Sequence, residues 1–135
     1  MPVDTANVAA WLDAYVAAWK SYDPEAIGAL FTGDVRYRFH PYDDPVEGRE
    51  AVVESWLGKG EHEGAPGRDE EGTYNASYRP IAVDGDVAVA TGTSTYTRGP
   101  GGPIDEVYDN CFLMRFDADG RCREFTEWFV KRPGA

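Results

Sequence analysis

The sequence predicts an α+β domain in which three helices near the start pack on one face of a curved, mostly antiparallel sheet. Apolar residues recur at helical spacing up to Leu57, and alternating runs fill most of residues 74–131. Glycine turns at Asp84-Gly85-Asp86 and in DADGR separate those runs. Helices followed by long antiparallel strands make two layers around one core, and the hollow between the layers is the natural ligand site. With 135 residues the chain fits a single domain, 1–135, able to bury a core without disulfide staples.

The first helix is predicted from about residue 5 to about 21. Val8, Trp11, Leu12, Tyr15, Val16 and Trp19 share one face, and Asp4 or Thr5 stands where a cap is needed. Asp23-Pro24-Glu25 combines an N-cap acceptor, a proline at the first helical position and an acid in the first turn. It starts a second helix, which carries Ile27, Leu30 and Phe31 inward and is predicted to stop at Gly33. From Asp34 to Pro41, Val35, Tyr37 and Phe39 alternate with Arg36, Arg38 and His40 as in a half-buried strand. After a bent YDDPVEG, Val52, Val53, Trp56 and Leu57 return to helical spacing, with Gly58 as the stop. Residues 58–72 read as a mobile loop, and Asp69-Glu70-Glu71 as a solvated face; a metal site joining that run to His62 is set aside. Strands follow at Tyr74–Val83, Val87–Thr97, Glu106–Phe116 and Cys122–Lys131.

Composition narrows the function. A net charge of -11 opposes nucleic acid and anionic membranes, whose binding draws on clustered Lys and Arg. No run approaches a membrane span, and no basic stretch leads into an apolar one at the start, so a cytoplasmic protein is expected. Cys111 and Cys122 match no zinc or redox spacing, and no metal or cofactor is expected. Eight tyrosines, six phenylalanines and four tryptophans suit a core with an aromatic pocket in it.

Three stretches, WKSYDPEAIGALFTGDVRY, PVEGREAV and YDNCFLMRFDADGRCREFTEWF, carry a resemblance. In them the chain resembles the nuclear transport factor 2-like superfamily, and within it the SnoaL-like and ketosteroid-isomerase-like branch. The resemblance implies a cone-shaped αβ roll whose curved sheet encloses an apolar cavity, and a homodimer formed through the outer sheet face. It places Tyr108, Asn110, Phe112, Met114, Thr126 and Trp128 on the lining face, and Asp109, Cys111, Glu127 and Phe129 on the other. A one-residue slip exchanges the two faces.

The same resemblance can be tested against named chemistries. Tyr15 falls on the oxyanion tyrosine of the ketosteroid isomerases, whose neutral buried carboxyl is a worked example in general accounts of pKa tuning. Their base and second acid fall on Phe39 and Phe112, which cannot move a proton; Asp43 or Asp44 at the rim is the substitute. Of the limonene epoxide hydrolase set, Tyr37 fits the tyrosine, but Phe39, Thr93, Thr95 and Val130 stand where charged or amide groups belong. A cyclase-type base would come from His40, if it turns inward, or Asp109, if the strand faces are inverted. The expected occupant is a small hydrophobic molecule with one or two oxygens. Tyr15, His40, Asp44 and Asp109 are the catalytic candidates; Trp19, Tyr37, Phe39, Trp56, Tyr108, Asn110, Phe112 and Trp128 are the ligand-binding ones. Isomerase, dehydratase and cyclase chemistry, ligand binding with none, and a dimeric interaction module without chemistry all remain open on these residues.

Overall fold

The computed structural model describes residues 3–58 and 69–134. The loop read at 58–72, with His62, lies largely outside the described residues. Helix α1 spans Thr5–Ser21; Asp4 and Asn7 exchange side-chain-to-backbone hydrogen bonds across its first turn, satisfying two otherwise orphaned N–H groups. It buries Val8, Trp11, Leu12, Tyr15 and Ala18. The helix ends at Tyr22, which adopts the left-handed region at φ 49° and turns the chain into α2, Pro24–Ala29. Asp23 caps α2 by accepting from the Glu25 amide.

The second helix is shorter than its sequence suggests. Leu30 is its C-cap and Phe31 already opens β1, Phe31–Arg38, instead of the helix running to Gly33 and the strand starting at Asp34. Tertiary pairing decides this boundary: the Cys122 amide donates to the Leu30 carbonyl, and Phe31 lies opposite Cys122. The bent YDDPVEG stretch contains a further strand, β2 (Val46–Glu47), paired with β1 at Arg36 and Tyr37. Helix α3, Arg49–Trp56, then precedes β3 (Tyr74–Asp84), β4 (Val87–Thr97), β5 (Ile104–Phe116) and β6 (Cys122–Lys131).

The sheet order is β2-β1-β6-β5-β4-β3, antiparallel throughout except for the parallel β1–β6 pair. That pairing joins the first strand to the last and brings Tyr37 opposite Phe125, their rings stacked at 4.6 Å. Trp11, Phe31, Phe112 and Phe125 fill the core between α1 and the sheet, and the indole N–H of Trp11 donates to the Leu30 carbonyl. Both cysteines are free thiols.

One register feature governs the site. In the β5–β6 ladder Arg115 faces Glu124 but Phe116 faces Cys122, so Arg123 is an extra residue on β6. Cys122 and Phe125, three apart, therefore both point inward and are fully buried. Beyond the bulge the alternation is inverted from a plain count. Glu127 and Phe129 face the helices, while Thr126 and Trp128 face out, Trp128 being 41% exposed. The expected lining face thus holds for β5 and is reversed for β6.

Candidate functional site

A pocket of about 430 Å³ opens between α1, α3 and the inner face of the sheet. Its deep end is walled by Tyr15, Tyr37, Phe39 and Trp56, each at most 7% exposed. The Tyr15 and Tyr37 hydroxyls lie 3.4 Å apart, so one donates to the other and one phenolic hydrogen is left over. Burial raises both phenols well above their ordinary pKa, and the charge of Glu127 adds to the rise. At neutral pH both are therefore donors. Beside them the indole N–H of Trp56 is sealed from the pocket and directed toward the Tyr37 hydroxyl, whose pKa it lowers against the effect of burial.

The sheet supplies an acid. Glu127 on β6 is partly open to the pocket, and its Oε2 accepts from the Asn110 amide at 2.9 Å. Burial pushes its carboxyl up to about 7, against the Asn110 hydrogen bond, which pulls it down. Asn110 is itself oriented: its Oδ1 accepts from Ser94 at 2.8 Å, and the Ser94 hydroxyl lies 2.7 Å from that of Tyr78. Four adjacent strands thus contribute Tyr78, Ser94, Asn110 and Glu127 to one hydrogen-bonded row. Since Ser94 donates to the amide oxygen, the amide NH₂ is held toward Glu127.

Ser94→Ala is expected to release that amide to flip, removing a donor from Glu127. The midpoint of Glu127, followed by carboxyl carbon-13 NMR, should then rise by roughly 0.5–1 pH unit. Ser94→Thr should restore it, and an unmoved midpoint in the alanine variant would show that Ser94 does not orient the amide.

The pocket's outer end is a ring of half-exposed aromatics. Trp19, Tyr96 and Tyr108 face one another, with Tyr96 6.2 Å from Trp19 and 5.7 Å from Tyr108 between ring centres. Asp69 closes one side, accepting from the Trp19 indole at 3.1 Å and from Tyr22 at 3.3 Å. Burial raises its pKa, while those two hydrogen bonds lower it. The acidic run from Asp69 to Glu71 is therefore not uniformly solvated: Asp69 is half-buried at the pocket, whereas Glu70 and Glu71 are exposed.

The structure brings together Tyr15, Trp19, Tyr37, Phe39, Trp56, Tyr108 and Asn110 around this pocket, and Phe112 packs behind it, 5.5 Å from Tyr15. It does not bring His40, Asp44 or Asp109 there. His40, past the end of β1, lies 2.8 Å from Asp43, stacks on Tyr42 and has its ring 5.1 Å from that of Phe129, outside the pocket lining. Asp44 is exposed. Asp109 points to the outer face, where Arg132 holds its carboxyl below the ordinary range through two 2.8 Å hydrogen bonds. Trp128 is likewise outside, displaced by the bulge at Arg123.

Glu127, Ser94, Tyr78, Tyr96 and Asp69, together with Tyr22, Glu106 and Phe129, are pocket residues absent from the candidates read in the sequence. For Glu127 a signal existed: Arg123 and Glu124 are consecutive charged residues in an alternating strand, the pattern expected when a bulge lets two neighbours face solvent. Ser94 and Tyr96 follow from plain alternation along β4.

No helix among the described residues is long and apolar enough to cross a membrane. No curated protein matches the chain. A family model described as a SnoaL-like domain matches residues 12–125, from within α1 to Phe125 on β6, and stops short of Glu127 and Phe129. With that match over most of its length, and with an α+β fold of helices on a six-stranded sheet, the chain belongs to the SnoaL-like family of the nuclear transport factor 2-like superfamily.

Proposed function

We propose that this chain is a cofactor-independent acid–base enzyme acting on a small, mostly apolar molecule that bears a carbonyl, with its sheet wrapped as a cone around the pocket. The observation that carries this reading is Glu127: a carboxyl that burial pushes up to about 7, on the wall of an aromatic pocket whose deep end holds two phenols. A base with a pKa near the working pH is the most effective one. Glu127 takes a proton from the carbon next to the carbonyl, and the electron pair moves onto the oxygen. The free phenolic hydrogen of the Tyr15–Tyr37 pair then stabilises the oxyanion. Returning the proton to a different carbon completes an isomerisation. Neither Phe39 nor Phe112 is needed for this, because the carboxylate comes from the last strand.

The test uses β-tetralone, an enolisable bicyclic ketone of suitable size, in deuterium oxide. The protein should catalyse exchange of the protons next to the carbonyl, at a rate that rises with pH through about 7 as Glu127 ionises. Loss of the base in Glu127→Gln should cut that rate about 100-fold or more. Tight binding without exchange would sink the catalytic reading and leave a binding protein.

The outer sheet face supports a homodimer. Leu113, Trp128 and Val130 are 42%, 41% and 68% exposed on that side of β5 and β6, an apolar area of the kind that two copies cover. Sedimentation should give a dimer mass for the native chain and a monomer for Trp128→Asp. A monomer at about 0.1 mM native chain overturns the pairing.

A further inference from the structure

The directions of the hydrogen bonds along the sheet wall decide what that wall offers a ligand. Ser94 has one hydrogen, and it is spent on the Asn110 amide oxygen at 2.8 Å. Burial raises the pKa of the Tyr78 phenol, so it carries its hydrogen at neutral pH. With the Ser94 hydrogen engaged, the 2.7 Å contact between the two hydroxyls has Tyr78 donating to Ser94. Tyr78 therefore turns only oxygen lone pairs toward the pocket that it lines. Glu127, when ionised, offers a second acceptor there through Oε1, because Asn110 occupies Oε2.

The deep end has the opposite polarity, since the Tyr15–Tyr37 pair keeps one hydrogen to give. Tyr78 borders it, with its ring 6.0 Å from that of Tyr15 and 4.6 Å from that of Phe112. A carbonyl oxygen is stabilised at the phenol pair but meets another acceptor at Tyr78, whereas a hydroxyl finds at Tyr78 an oxygen to receive its hydrogen. We propose that the substrate is a hydroxylated ketone, held in one orientation by giving its hydroxyl hydrogen to Tyr78 and accepting at its carbonyl from the Tyr15–Tyr37 pair. Ser94 and Asn110 stand between Tyr78 and Glu127 in the row, so the hydroxyl sits on a different part of the skeleton from the carbon that loses its proton. Tyr78 is thereby a specificity-determining residue, and Ser94 fixes which group it selects. This inference rests on the pocket reading above, and goes beyond it by naming a second polar group of the substrate and its partner.

A matched series separates the two. β-Tetralone, its 6- and 7-hydroxy derivatives and their methyl ethers share one skeleton, and the ethers keep the oxygen without a hydrogen to give. Their binding is compared by calorimetry at about pH 8, where Glu127 is ionised. The better hydroxy isomer should bind the native chain about tenfold more tightly than its ether. Tyr78→Phe should remove most of that preference, with β-tetralone as the reference ligand in each protein. Ser94→Ala frees the Tyr78 hydrogen to point into the pocket, so the ether should gain affinity relative to β-tetralone although no ligand contact has been added. If the native chain binds hydroxy and methoxy compounds alike, if Tyr78→Phe keeps the preference, or if the ether gains nothing in Ser94→Ala, the hydroxyl assignment is wrong and the pocket reading survives on β-tetralone. If none of the five ketones binds, both are overturned.

Discussion

Glu127→Gln is expected to stabilise the fold at about pH 8 and to leave it nearly unchanged at about pH 4. The sign follows from where the proton sits. In the unfolded chain the carboxyl titrates near its ordinary 4.5, whereas in the folded protein burial holds it up to about 7. Below the lower value both states are protonated and the group costs nothing. Between the two the folded protein keeps a proton that the unfolded chain has released, so stability falls as pH rises, and above about 7 the full penalty of a buried anion is present. The separation corresponds to roughly 3 kcal/mol at most. Water entering through the mouth of the pocket reduces that to about 1–2 kcal/mol. Glutamine removes the penalty and still accepts from Asn110. Thermal midpoints of both proteins across this range are the measurement. A difference that does not grow with pH would mean that the Glu127 carboxyl is fully hydrated.

Gly92→Ala is expected to be the most damaging single-methyl change in the sheet. A Cβ there would lie 2.0 Å from the Ser77 carbonyl oxygen and 2.7 Å from both Cα and Cδ1 of Tyr78. Two of those atoms are backbone of the neighbouring strand, so no side-chain rotation relieves the overlap, and β3 has to move away from β4. The cost should be about 3 kcal/mol or more, lowering the melting temperature by roughly 10 °C. The reason for the glycine is visible in the register: Tyr78 is directly opposite Gly92, and its ring lies over the bare Cα on its way to Ser94. Hydrogen exchange should show the lost protection concentrated in β3 and β4. An alanine variant as stable as the native chain would mean that this close approach does not exist in solution.

Period and capping made most of the fold legible in the sequence. Asp4, the Asp23-Pro24-Glu25 start and the alternation of Val35, Tyr37 and Phe39 are local signals, and the structure follows them. What local signals could not give was pairing. The end of α2 is set by Cys122, ninety-two residues beyond Leu30, and β2 is too short to carry a pattern of its own. In the pocket, the aromatic walls were readable because Tyr15, Tyr37 and Trp56 sit on clean helical or strand faces. The acid was not, because Glu127 changes sides with one unpaired residue upstream, and a two-residue period has no memory of which side it started on. Asp69 was misjudged for another reason: a charge run is solvated as a rule, and only tertiary contact with Trp19 and Tyr22 sets this member apart.

The extra residue at Arg123 has an evolutionary consequence. It shows that a single residue decides which face every later side chain takes: losing Thr126, just downstream, would send Glu127 to the outer surface and bring Trp128 into the pocket. One lost codon would thus exchange an ionisable wall for an indole one, with no substitution anywhere in the lining. Among descendants of such a strand, insertions and deletions near this turn are a more direct route to gaining or losing an acid than point mutation. Relatives compared by aligned letters alone would hide the event, since the glutamate would still be there, facing the other way.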